Sequence, residues 1–218
     1  MKKLHFDILN NASDSLRHAV HLLAWEDATP SNRYKQAILS IFHCSELLLK
    51  ERLRQVNPAL IWENVDKYPS LAARTVTVDK AISRLIAIGG VLIAEADKET
   101  LLACRNLRNA IQHFEFEFHE KEAKALIGRV LSFVFAFASK ELEADLEEQF
   151  KDDDTWTLLV EQLYEFAEQY GPRISELMVE VGGPVGSCTR CGQDTVDLIF
   201  ERCRLCGCEY ERDEDFSD

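Results

Sequence analysis

Apolar residues recur every three or four positions through the first 180 residues, the period of helices that bury one face. Leu9, Ala12, Leu16, Ala19, Val20 and Leu23 form one such stripe, which stops at Trp25. Thr29-Pro30-Ser31 is a turn that opens a second helix, expected over residues 32–55. Tyr34, Ile38, Ile41, Ser45, Leu48 and Arg52 share one of its faces. Leu47 and Leu49 widen the apolar surface, which predicts burial on several sides. Residues 59–78 read as irregular, and a short helix is expected over 79–88, stopped by Gly89-Gly90. Another helix is expected from about residue 97 to 113. Phe114-Glu-Phe-Glu-Phe118 then alternates with period two, an extended signal. A long helix follows from about residue 120, with Leu126, Val130, Phe133, Val134 and Phe137 inward. The last helical stretch, 156–170, is expected to end at Gly171-Pro172, with a weaker continuation to 181. Residues 182–186 read as a linker by composition.

Composition changes this picture little. The chain has 218 residues, 46% of them hydrophobic and 29% charged, enough apolar content to exclude wholesale disorder. No apolar run approaches the ~18–20 residues of a membrane helix. The N-terminal segment has two lysines but no apolar stretch behind them, so a cytoplasmic protein is expected. The formal net charge of −13 argues against a generic nucleic-acid binder. It is unevenly spread: residues 140–154 hold net −6 and 209–218 net −5, leaving the rest near neutral. The charge therefore vetoes no particular surface.

Five of the seven cysteines fall between Cys188 and Cys208. Cys188-Thr-Arg-Cys191-Gly192 and Cys203-Arg-Leu-Cys206-Gly207 can each fold into a tight knuckle, with glycine supplying the left-handed turn. Residues 195–200 would form the strand between them. Four thiolates from Cys188, Cys191, Cys203 and Cys206 are the soft tetrahedral set that zinc favours, so a structural zinc is expected. Cys208 is an alternative to Cys206 as fourth ligand, or a spare thiol. With four protein ligands no position is open, which disfavours zinc catalysis. The expected architecture is an all-α helical bundle (1–181), a linker (182–186) and a small C-terminal β zinc ribbon with an acidic tail (187–218).

The helix that ends in His113 carries the other candidate chemistry. Ala103, Leu107, Ala110, Ile111 and Phe114 are expected to face the core, with Arg105, Arg108, Asn109 and Gln112 opposite. Asn109 and His113 are neighbours at four-residue spacing. Arg108 and His113 lie about 140° apart around an ideal helix, so they converge only at a helix end or across two chains. A histidine moves protons near neutral pH, and an arginine stabilises a phosphate in transition. Those two groups suffice for cleaving RNA through its own 2′-hydroxyl, without a metal. The bland reading is a solvated cationic face with a histidine favoured by the helix dipole.

Arg108-Asn109-x-x-x-His113 resembles the R-(polar)-x-x-x-H motif of the HEPN family. Glu46-Leu-Leu-Leu-Lys50 is similar to the family's second helix, and the likeness covers roughly residues 1–150. The resemblance implies a helical bundle that forms a homodimer, with two motifs meeting in one composite cleft. It implies a metal-independent endoribonuclease, with a toxin–antitoxin or phage-defence role and an antitoxin or defence-system protein as partner. His113 would be the general acid or base, Arg108 the transition-state cation and Asn109 an orienting group; Arg105 would add an RNA phosphate contact. The alternative, since the family includes scaffolding members, is a non-catalytic dimeric adaptor gripping a protein through the ribbon. His18 and His21 read as surface or packing residues, His43 on the buried second helix reads as a hydrogen-bonded core histidine, and His119 stands near the same cleft.

Overall fold

A computed structural model describes residues 6–25 and 29–210. Seven α-helices and a three-stranded sheet make up the described chain. In order these are α1 (Ile8–Trp25), α2 (Pro30–Val56), α3 (Val78–Ala87), α4 (Glu95–His113), α5 (Glu120–Leu142), α6 (Thr155–Gln162) and α7 (Tyr164–Glu180). The strands β1 (Val185–Gly186), β2 (Val196–Asp197) and β3 (Arg202–Cys203) are antiparallel in that order. The expected class, a helical bundle with a small C-terminal β unit, is therefore the observed one. No helix of the described residues is long and apolar enough to cross a membrane. The acidic tail beyond Tyr210 lies outside the described residues.

The stripe Ala12, Leu16, Ala19, Val20 and Leu23 is buried and packs α1 along α2. α2 is enclosed on several sides, as its widened apolar surface predicts, and even Lys50 and Glu51 on it are buried. α5 packs against α2, α4 and α7. Gly128 on α5 sets the α7 crossing: an added Cβ would sit 2.6 Å from the backbone carbonyl carbon of Glu165. Below that crossing, Phe135 is ringed by Phe150, Trp156, Phe166 and Tyr170 at centroid distances of 5.1–6.4 Å. Edge-on and tilted contacts of this kind lock three helices together.

Two boundary expectations are corrected. The break in the last helical stretch falls at Leu163 rather than at Gly171-Pro172, and α7 runs through Pro172. The helix continues because Phe166, Ala167, Tyr170, Ile174 and Met178 keep one buried stripe across the proline. Gly171 has a different role: a Cβ there would meet Gln193 Oε1 at 2.6 Å, so this glycine lets the ribbon approach. The expected linker is also shorter, since Val185 and Gly186 form β1.

The ribbon does not hang free. Trp156 Nε1 donates to the Leu205 carbonyl at 2.6 Å, and Arg190 pairs with Glu161 of α6. Leu205, Val196 and Cys203 belong to the same continuous core as the helices.

Candidate functional site

Each knuckle closes on its glycine. Gly192 and Gly207 have φ of 72° and 74°, the left-handed region that glycine enters without a Cβ clash. Their amides donate to the Cys188 and Cys203 carbonyls at 2.9 and 3.0 Å. The turns bring Cys188, Cys191, Cys203 and Cys206 together, with all four sulfurs within 4.8 Å of one another. The Cys188–Cys206 and Cys191–Cys203 sulfurs are 3.6 and 3.7 Å apart. Such a cluster can hold one metal ion. Cys208 is not part of it; its thiol donates to the Glu209 carbonyl.

Hydrogen bonding prepares these sulfurs. The hydrogen bond between the Cys203 and Cys206 side chains lowers the Cys203 thiol, helped by the Cys206 amide and the Thr195 hydroxyl, and raises Cys206 in the same measure, so one proton is shared between them. Burial pushes Cys191 up to about 11. Four thiolates this close repel one another, so a bound cation is what allows all of them to stay ionised. Cys44 and Cys104 are isolated in the helical core, where burial raises both thiols.

On α4 the structure moves several side chains from their expected faces. Thr100, Leu101 and Cys104 are buried, whereas Ala103 and Phe114 are exposed. Arg108 follows Leu101 and Cys104 on that inward stripe, which is why it is half-buried rather than on the outer face. Its guanidinium lies over the Phe42 ring at 5.5 Å and donates to Asn109 Oδ1 at 2.9 Å. No carboxylate pairs with it among the described residues. Arg105 differs, because it forms an ion pair with Asp79 of α3.

His113 closes the helix, and Phe114 beyond it is extended. The imidazole is exposed and meets the Phe114 ring edge-on at 6.4 Å. The expected helix end is thus present. Within one chain, however, no hydrogen bond joins His113 to Arg108 or Asn109 among the described residues; the Asn109 oxygen serves Arg108 instead.

Residues 114–118 take no regular secondary structure, and Phe114 and His119 at either side are extended. His119 starts α5 and lines an open cleft of 910 Å³ with Tyr34, Lys35, Phe116 and Phe118, to which His113 does not contribute. On α2, Glu46 and Lys50 do pair, at 2.5 Å, and Lys50 also donates to Thr75. His43 faces outward and holds Ser15 Oγ at 2.8 Å.

Three supporting residues were not legible from spacing: Phe42 under Arg108, Asp79 on Arg105 and Thr195 on Cys203. The first two pairings join residues far apart in sequence, Thr195 and Cys203 lie eight apart across the β2–β3 turn, and no periodicity reports any of them. No protein-family model matches the chain, and neither a curated protein nor a solved structure matches it.

Proposed function

We propose that the chain is a metal-independent endoribonuclease whose active site is completed by a second copy, with a zinc ion organising its ribbon. The observation that carries this reading is the contrast along α4. Arg105 is neutralised by Asp79, while Arg108 is oriented by Phe42 and Asn109 and keeps its charge available. One and a half turns on, the helix ends in an exposed imidazole that has no hydrogen bond or ion pair among the described residues.

In the proposed reaction His113 takes the proton from the substrate 2′-hydroxyl, whose oxygen forms a bond to the adjacent phosphorus. A protonated His113, of the same or the second copy, gives a proton to the departing 5′-oxygen. Arg108 stabilises the charge on the non-bridging oxygens. The products are a 2′,3′-cyclic phosphate and a 5′-hydroxyl. The resemblance to HEPN proteins supports both the pairing and a role as a toxin or phage-defence effector. The homodimer is supported by the end of α4. There Leu107, Ala110 and Ile111 are only half-buried and Phe114 is 72% exposed, an apolar surface for a second copy to cover.

Zinc suits the cysteine cluster. Four Zn–S bonds of about 2.3 Å in a tetrahedron place sulfurs about 3.8 Å apart, close to the 3.6 and 3.7 Å of the two nearest pairs. The set is closed, so the ion organises the ribbon and takes no part in cleavage.

The test is cleavage of a mixed RNA pool, with and without Mg²⁺, by wild type and by Arg108→Ala and His113→Ala. Activity that persists without Mg²⁺ and falls at least ~100-fold in both folded variants is expected. Equal inertness of all three on every RNA, and equal harmlessness in cells, would overturn the enzyme. A second reading, a non-catalytic dimeric adaptor gripping a protein through its ribbon, is favoured by Ile199 and Phe200. These are 65% and 74% exposed at the turn between β2 and β3.

A further inference from the structure

The ribbon is seated on the helices by residues that lie inside or beside its two knuckles. In Cys188-Thr-Arg-Cys191 the third residue, Arg190, pairs with Glu161 of α6. In Cys203-Arg-Leu-Cys206 the third residue is Leu205, whose buried backbone accepts from Trp156 Nε1, also of α6. Equivalent positions of the two knuckles therefore grip one short helix, one near its start and the other near its end. Gln193, whose carbonyl accepts from the Cys188 amide at 2.9 Å, sets its side chain against α7 at Gly171.

With 8 residues, α6 is too short to hold its shape alone, because a first helical turn costs more than its hydrogen bonds return. It depends on its surroundings: α1, where Trp25 Nε1 donates to Thr155 Oγ1 at 2.9 Å, the aromatic cluster that Trp156 enters, and the ribbon. The knuckles in turn depend on their sulfurs being held, since a ribbon of this length has too little core of its own. Arg190 adjoins Cys191 and Leu205 adjoins Cys206. The backbone geometry that ligation imposes on each knuckle is thus the geometry that meets α6. Relaxed knuckles would leave the N–H of the half-buried Trp156 without its acceptor. Coupling of this kind is reciprocal: whatever metal binding does for α6, a seated α6 does for metal binding.

We propose that α6 is the helical domain's sensor of the ribbon's metal, seated while the four cysteines hold an ion and released when they do not. Trp156 is in return a positioning residue that raises the ribbon's affinity for the ion. The proposal rests on the zinc reading of the cysteine cluster and not on the ribonuclease reading.

Two measurements on the full chain test it. Hydrogen exchange is compared between the zinc-loaded chain and the same chain stripped by a chelator. Amides of residues 155–162 are expected to exchange about tenfold faster when stripped, and those of 37–53 in α2 at an unchanged rate. Zinc affinity is then measured by competition with a chromogenic chelator. Trp156→Phe keeps a ring in the aromatic cluster and removes only the N–H donor; it is expected to weaken zinc binding about tenfold. Glu161→Gln, at an exposed ion pair, is expected to weaken it no more than about twofold. Ile38→Val destabilises the buried core of α2 without touching the ribbon and is expected to leave zinc binding unchanged. Equal exchange of α6 in the two states, or faster exchange of α2 along with it, overturns the proposal and leaves the zinc site standing. So does wild-type affinity in Trp156→Phe, or equal weakening in Ile38→Val, which would make global stability the cause. A chain that binds no zinc overturns the proposal and the zinc reading together.

Discussion

The two ends of the molecule solve the problem of gathering chemistry in opposite ways. In the ribbon, two knuckles and a short sheet bring four sulfurs together within one chain, a set able to hold one metal ion. At the end of α4, Arg108 is held by its neighbours, and His113 stands exposed at the helix terminus with no hydrogen bond or ion pair among the described residues. The first region is a closed arrangement whose requirement is internal. The second has the form of half a site. A closed ligand set favours structure over catalysis, whereas unsatisfied groups at a surface point outward to a substrate or a second copy.

The sharpest way to break this contrast is to remove the metal. The ribbon, from β1 to Tyr210, is too short to carry its own core. Metal binding to a site of this type is coupled to folding with an apparent ~10–16 kcal/mol. Cys188→Ser, or a strong chelator, is expected to abolish metal binding, measured as about one ion per chain in wild type. Helical circular dichroism should be largely retained, while Trp156, which donates to the Leu205 carbonyl, should show a red-shifted emission. Retention of the ion in Cys208→Ser is expected as well. Loss of the ion in that variant, or full helix melting in Cys188→Ser, would erase the distinction between the two regions.

A smaller but still large effect is expected where the helices supporting both regions cross. Gly128→Val would drive a side chain into the α7 backbone at Glu165, whose atoms already lie within 2.6–2.8 Å of an ideal Cβ position. Overpacking of this kind costs typically 1–3 kcal/mol. The midpoint of urea unfolding should fall correspondingly. A midpoint equal to wild type would show that α5 and α7 are free to part, and that the scaffold under the ribbon is soft.

How much of this was legible in the sequence follows from the range of the forces involved. The stripes of α1, α2 and α5 came through because helix period and burial are local properties of the chain. The cysteine set was legible for a related reason: spacing and glycine placement alone close each knuckle. Gly171-Pro172 misled because a glycine that admits Gln193 and a glycine that ends a helix look alike in one dimension. Arg108 was misplaced for a different reason. A polar residue was assigned outward by type, although its spacing from Leu101 and Cys104 put it on the inward stripe, over Phe42. Whether its partner histidine comes from another chain is a property of assembly, which no single-chain pattern encodes.

The α4 half of the comparison can be sharpened through Asp79. If the open charge at Arg108 is what RNA meets first, releasing Arg105 should add a second cation beside it. Asp79→Asn removes the ion pair while keeping the side-chain shape. Each additional phosphate contact steepens the salt dependence of RNA binding by about one unit of log–log slope. The variant is therefore expected to bind single-stranded RNA several-fold more tightly at low salt, with a steeper slope. An unchanged slope would leave Arg105 as a purely structural partner of α3.

The smallest effect expected lies in the cleft between α7 and the ribbon, where pH dependence reports on Glu147. Its carboxyl is raised above the ordinary glutamate range, chiefly by burial. A carboxyl raised by folding binds its proton more tightly in the folded than in the unfolded chain. Its contribution to stability is thus fully present below the unfolded glutamate value and is lost as pH rises through the folded one. Stability measured by urea unfolding should decline gently across that window. Glu147→Gln should remove this part of the decline, while the Tyr170 contact is kept by the amide oxygen. An identical profile in wild type and Glu147→Gln would mean that water already reaches this carboxylate.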